Sequence, residues 1–342
     1  MVAPPAGLSA TARAYVEAAL DTMQHHSINK YKIDWPTFRA AAIARAGTAQ
    51  LPVDTYAALT QTVAALGDGH SGFFPPSNSV AATRVGVQAA DLPPTPATIP
   101  SGRMLDARIA YVFVPQFAGS NPTGRVDSTL AVVRRLDAEG AANGDPAGPC
   151  GWVIDLRLNL GGNMYPMVAG VGPILGEGHA GVFVDADDNR QDWYYRAGAA
   201  GIAVNGTEYP FATASTPYTL RRAAPPVAVL YGPLTASSGE ATAISFRGRP
   251  SARSFGTPTY GVSTANTPYR LSDGAILNLT TAVQGDRTGR LYGGPVPPDE
   301  VTAGVTPDPT STAVDAGMQA AMQWLAAQPA CAGAAHSRER HA

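Results

Sequence analysis

Ser237 lies where an apolar, β-rich run, Val227-Ala228-Val229-Leu230-Tyr231, ends in Gly232-Pro233 and a helical stretch begins. A hydroxyl at such a junction has a fixed backbone and sits near the positive end of a helix dipole. Serine is a weak nucleophile at neutral pH and needs a base beside it, most often histidine. The chain has six histidines. His336 and His341 fall in a polar tail, His25 and His26 at a helix end, and His179 in a loop after Gly176-Glu177-Gly178. His70 stands in Leu66-Gly67-Asp68-Gly69-His70-Ser71-Gly72, a tight turn that holds an imidazole clear of the preceding helix. Acyl transfer also needs backbone N–H donors aimed at the developing oxyanion. The run Asp155-Leu156-Arg157-Leu158-Asn159-Leu160-Gly161-Gly162-Asn163 offers them where a buried strand meets a Gly-Gly turn. Without side chains, Gly161 and Gly162 let a carbonyl approach the backbone closely. The N–H of Ser238 is the second candidate donor.

Each run also has a purely structural reading. Ser237-Ser238-Gly239-Glu240 fits a capping box, with Ser237 as cap and Glu240 reaching back. The Gly67–Gly72 run could simply stop a helix. Gly161-Gly162 could simply join a strand to a helix. Their joint presence favours the chemical reading.

The elements that must carry these residues follow from periodicity. Residues 9–66 read as three helices: Ser9 caps the first, Asp34 precedes Trp35-Pro36 at the second, and Asp54 caps the third, Tyr56–Leu66. Residues 75–105, rich in Pro, Ala and Thr, read as a linker. From Ile109 onward strands and helices alternate. Strands are expected at 109–114, 151–156, 227–231 and 276–283, with hairpin strands over 181–195 and 201–211. Helices are expected at 125–139, 165–175, 237–246 and 312–327. The alternation implies an α/β fold with a mixed sheet and βαβ units. The expected organisation is a helical domain over 1–74, a linker over 75–105, an α/β core over 106–330 and a polar tail over 331–342.

Composition narrows the function classes. A 342-residue chain can bury a sizeable core, and 45% hydrophobic against 15% charged residues fits a globular protein. A net charge of −2 gives no footprint for nucleic acid or an anionic membrane. No apolar run approaches the ~20 residues of a membrane span. The N-terminal residues as written carry no signal-peptide pattern, which leaves a cytoplasmic protein or, for a mature fragment, an extracellular or periplasmic one. Cys150 and Cys331 do not make a metal site; they could pair in a secreted protein, but the expected reading is two isolated thiols. Lys30 and Lys32 are the sole lysines, so a lysine base in the core is excluded.

Taken in series, these motifs resemble the tail-specific, C-terminal processing protease family, peptidase family S41. The resemblance runs through Leu66–His70, Ile154-Asp155-Leu156-Arg157 with Asn159, Gly161 and Gly162, and Thr235–Glu240. It continues through Gly256-Thr257-Pro258-Thr259-Tyr260-Gly261 and Val296-Pro297-Pro298-Asp299. It implies a ClpP/crotonase-like core, Ser237 as nucleophile, and an oxyanion hole from Gly161 or Gly162 with Ser238. The Ser/Lys branch places its lysine after the Thr-Tyr-Gly turn, where this chain has Val262. The tricorn-like Ser/His/acid branch fits His70 instead. Its acid normally precedes the Pro-Asp motif, where Leu291-Tyr292-Gly293-Gly294 has no carboxylate. Asp286 is the first candidate acid, Asp299 and Glu300 follow, and Asp68 could instead orient the loop around His70. The PDZ module of many relatives is not recognisable. The resemblance implies a serine peptidase acting on peptides or unfolded proteins without a cofactor. An apolar-ligand binding protein, as in the retinoid-binding relatives, and a small-molecule esterase are the alternatives.

Overall fold

The computed structural model describes residues 7–76, 98–303 and 313–332. The helices are α1 (Ala10–His26), α2 (Trp35–Ala46), α3 (Tyr56–Ala64), α4 (Pro122–Ala142), α5 (Met164–Leu175), α6 (Ser238–Ser245), α7 (Ala316–Ala326) and α8 (Pro329–Ala332). The strands begin with β1 (Gly72–Phe74), β2 (Ser101–Met104), β3 (Ile109–Phe113), β4 (Gly151–Asp155), β5 (Gly178–Asp185) and β6 (Arg190–Arg196). They continue with β7 (Ala199–Val204), β8 (Thr207–Thr213), β9 (Val227–Tyr231), β10 (Ala252–Gly256), β11 (Thr264–Arg270), β12 (Ile276–Asp286) and β13 (Glu300–Val301). The chain divides into two units. One comprises Met1–Arg84, Val184–Arg190 and Thr264–Val283; the other comprises Val85–Phe183, Gln191–Ser263 and Gln284–Ala342.

The first unit is built on its helices. Tyr15, Val16, Ala19, Leu20 and Met23 recur at helical spacing on α1 and are buried. They pack with Leu59 and Val63 of α3, Phe73 of β1, and Leu277 and Leu279 of β12 in one core. β12 pairs antiparallel with both β1 and β11. The Ser9 side chain accepts from Ala12 N–H at 3.0 Å, so the expected first cap is present. The other two caps differ from expectation. Asp34 makes no capping bond to the backbone; its carboxylate accepts from the Thr37 hydroxyl at 2.6 Å. Asp54 lies inside a 3₁₀ turn, Pro52–Thr55, and accepts from Gln50 and Leu51 N–H at 3.0 and 2.9 Å. Gly67, at φ +74°, takes the left-handed conformation that stops the third helix.

The second unit carries a six-stranded sheet in the order β13-β10-β9-β4-β3-β2. β3, β4, β9, β10 and β13 are parallel, and β2 adds an antiparallel edge. β3, β4 and β9 are buried along their whole length, as parallel strands covered on both faces must be. That is why they appear in the sequence as unbroken apolar runs. β3-α4-β4 and β9-α6-β10 are the βαβ units. β6, β7 and β8 form an antiparallel meander in the same unit.

Two sequence expectations change here. Ser101–Met104, read as linker, is a strand that pairs with β3 from Ser101↔Phe113 to Met104↔Ala110. Its apolar content is too low to signal this. Cys150 and Cys331, read as isolated thiols, form a disulfide with their Cα atoms 5.0 Å apart. The helices α7 and α8 return the chain to the start of β4, and both cysteines join the core of Phe113, Leu230, Phe255 and Leu325. A separation of 181 residues gives no hint of that return. The expected tail from residue 333 onward lies outside the described residues, with His336 and His341, as do residues 77–97 of the expected linker.

Candidate active site

β4 and β9 are parallel neighbours, with Asp155 opposite Leu230. The turns that follow them therefore leave the same edge of the sheet, at its carboxyl end, where open α/β sheets bind ligands. One is the glycine turn and the other holds Ser237. Asn159 joins the two: its carbonyl accepts from Ala236 N–H at 3.0 Å. Its buried side chain donates to Val114 O and accepts from Gly161 N–H, both at 3.0 Å.

Gly161 abuts the serine turn. A Cβ placed on it would lie 2.8 Å from Ala236 O and 2.9 Å from Ser237 Cβ. On Gly162 a Cβ would meet Phe117 O at 2.1 Å. Both glycines also have φ above +100°, so nothing else fits. The two differ in their donors. The Gly161 N–H is committed to Asn159. The N–H groups of Gly162 and Ser238 have no acceptor among the described residues. The Ser238 hydroxyl donates to Gly162 O at 2.6 Å and ties those two donors together.

Ser237 has φ 53° and ψ −115°, a left-handed conformation rare for a residue with a side chain. Ser237 and Glu240 stand in the expected capping box. Glu240 reaches back and accepts from Ser237 N–H at 2.8 Å. Glu240 is completely buried. It also accepts from the Thr259 hydroxyl at 2.6 Å and from Gly261 and Val262 N–H, each at 3.0 Å. Burial pushes its carboxyl up to about 7, against the pull of these donors. Gln284 donates to Ser237 O at 3.4 Å.

In the first unit, Asp68 shapes the loop that carries His70. Its carboxylate accepts from the N–H groups of His70 and Ser71 and from the hydroxyls of Ser71 and Thr280. His70 O accepts from Asn266 Nδ2 at 2.9 Å. The His70 Nδ1 lies 2.7 Å from Thr264 Oγ1. Burial lowers the imidazole pKa to about 4, partly offset by the negative charge of Asp68. Sequence reasoning missed Thr264, which lies 194 residues from His70 and in no motif.

The three carboxylates nominated as the acid partner of His70 have other work. Asp286 closes its own turn, accepting from Thr288 N–H and hydroxyl and from the Tyr292 hydroxyl at 2.6–2.8 Å. Asp299 accepts from Ser254 N–H and hydroxyl and pairs with Arg247. Glu300 pairs with Arg253 at 3.2 Å. The described partner of His70 Nδ1 is thus a hydroxyl, where the sequence reading expected the carboxylate of Asp286.

Strand order defines a mixed α/β core with the glycine turn and the serine turn at one edge of its sheet, and comparison with known proteins gives the family. The sequence model of peptidase family S41 matches residues 108–308, more than half of the chain. The chain belongs to that family. The nisin-resistance protein of Lactococcus lactis subsp. lactis is 34% identical over 150 residues, which are 44% of this chain and 45% of that relative. The match thus spans less than half of the relative's length. A lipoprotein from Streptococcus agalactiae superposes with a TM-score of 0.66 at 22% identity, covering 93% of this chain and 97% of the other. The photosystem II D1 C-terminal processing protease gives 0.59 at 16% identity, covering 94% and 99%. At these identities the likeness is one of fold, the ClpP/crotonase-like arrangement. No helix among the described residues is long and apolar enough to cross a membrane.

Proposed function

We propose that the protein hydrolyses peptide bonds through an acyl-enzyme, with Ser237 as nucleophile and His70 as general base. One observation carries this reading. Ser237, in a left-handed conformation, lies against Gly161 beside two backbone donors that have no described acceptor.

Ser237 Oγ bonds to the scissile carbonyl carbon as its proton passes to His70 Nε2. The carbonyl electron pair moves to oxygen, which accepts from Gly162 and Ser238 N–H. Collapse restores C=O and breaks C–N, and the amine leaves with the proton from His70. Water then attacks the acyl ester, giving its proton to His70. The acid departs as that proton returns to Ser237. Thr264 suits this role for His70: with hydrogen on Nδ1, the ring donates to Thr264 and keeps the Nε2 lone pair for Ser237. The Asp68 charge favours the imidazolium that forms. In this reading Asp286 is a turn residue.

The test is turnover of quenched peptides by wild type and His70→Ala. Nisin belongs in the panel, because the relative that is 34% identical is a nisin-resistance protein. Loss of about 10³-fold or more in kcat for His70→Ala is expected. Unchanged turnover would remove His70 from the mechanism.

A further inference from the structure

We infer that Glu240 is a positioning residue for catalysis, a four-way tie that holds the nucleophile's backbone in register with the loop over 257–262. The inference rests on the reading of Ser237 as nucleophile.

A capping carboxylate at a helix start needs one bond, to the backbone N–H of the cap residue, and is normally solvated. Glu240 departs from that pattern. It is fully buried, and its described partners are three backbone N–H groups and one hydroxyl, none of them cationic. A buried carboxylate without a counter-charge costs several kcal/mol, more than a cap returns. The arrangement makes sense if the other bonds serve a purpose.

Those bonds run to one loop. Glu240 Oε2 accepts from Ser237 at 2.8 Å and Val262 at 3.0 Å. Oε1 accepts from Thr259 at 2.6 Å and Gly261 at 3.0 Å. The same loop donates from Tyr260 N–H to Thr235 O at 2.9 Å, two residues before Ser237. The serine turn is therefore fastened on both sides to a single loop. Its conformation is strained, which costs on the order of 1–3 kcal/mol and persists only when the surroundings over-determine it. Glu240 is the group that over-determines it. All four donors require an acceptor. Glutamine, with one oxygen and one NH₂, fits the space but faces two of these donors with hydrogens.

The experiment compares wild type, Glu240→Gln, Thr259→Val and Thr259→Ser. It reads kcat and KM on one quenched peptide and the rate of Ser237 labelling by a fluorophosphonate. Glu240→Gln should lower kcat and the labelling rate together by about tenfold or more while KM stays within about twofold, the pattern of a transition-state effect. Thr259→Val, which removes this donor and also the acceptor of Val296 N–H, should lose about threefold in kcat, and Thr259→Ser should restore it. A folded Glu240→Gln with wild-type kcat and labelling, or with a change in KM alone, would overturn the inference. If Glu240→Gln does not fold, wild-type kcat in Thr259→Val would overturn it. Absence of Ser237 labelling in wild type would instead overturn the assignment of the nucleophile.

Discussion

Gly161 approaches Ser237 so closely that a methyl group on its Cα would come within 2.9 Å of the Ser237 Cβ. Real Cβ atoms do not tolerate that distance, so the glycine turn and the serine turn depend on each other. Gly161→Ala must displace Ser237 or the glycine turn, and it must also adopt φ +102°. We expect a kcat loss of about 10² or more, from a misplaced nucleophile and oxyanion hole. The strain should cost about 1–3 kcal/mol of stability. Peptide turnover and urea unfolding of the variant check both, and wild-type kcat would contradict the proximity argument.

His70 should titrate far from the ordinary histidine range. Burial lowers its pKa from 6.5 to about 4. Between those values the unfolded chain binds more protons than the folded one, so stability rises with pH. The contribution is complete above pH 6.5 and is lost as pH falls through about 4. NMR titration of the ring protons, assigned with His70→Gln, should show His70 neutral at pH 6. A midpoint near 6.5 would contradict its burial.

Glu240 has a slope of the opposite sign. Its folded pKa is raised from 4.5 to about 7, so the folded state holds a proton that the unfolded chain has released. Its contribution is largest below pH 4.5 and falls by up to about 3 kcal/mol by pH 7 and above. The stability difference between wild type and Glu240→Gln, from urea unfolding, should shrink over that window. A pH-independent difference would mean that Glu240 titrates normally.

The Cys150–Cys331 bond fastens α8 to the start of β4. Reduction should cost about 2–4 kcal/mol, read as a lower urea midpoint in dithiothreitol. Two free thiols in protein unfolded without reductant would contradict the pairing.

What was legible in the sequence was local. β9 matches the expected strand residue for residue, because a parallel strand buried on both faces is an unbroken apolar run. Ser9 caps α1 as its type and place predict. The spacing of Ser237 and Glu240 revealed the bond between them. What was hidden is what folding brings together from afar. Thr264 at His70, Thr259 at Glu240 and Cys331 at Cys150 lie in no shared motif. Asp286 shows the limit of reading residue type. A carboxylate in Gly285-Asp286-Arg287 has the right type for a triad, yet its hydrogen bonds close its own turn. Residue type alone does not separate a catalytic acid from a turn acid.

Covalent labelling tests the central claim most directly. Wild-type protein treated with a fluorophosphonate should gain one adduct, mapped by peptide mass spectrometry to Ser237, and should lose peptide turnover in proportion. Ser237→Ala should take no label and should retain at most about 10⁻³ of wild-type kcat. Labelling at another residue, or turnover in Ser237→Ala equal to wild type, would contradict the account.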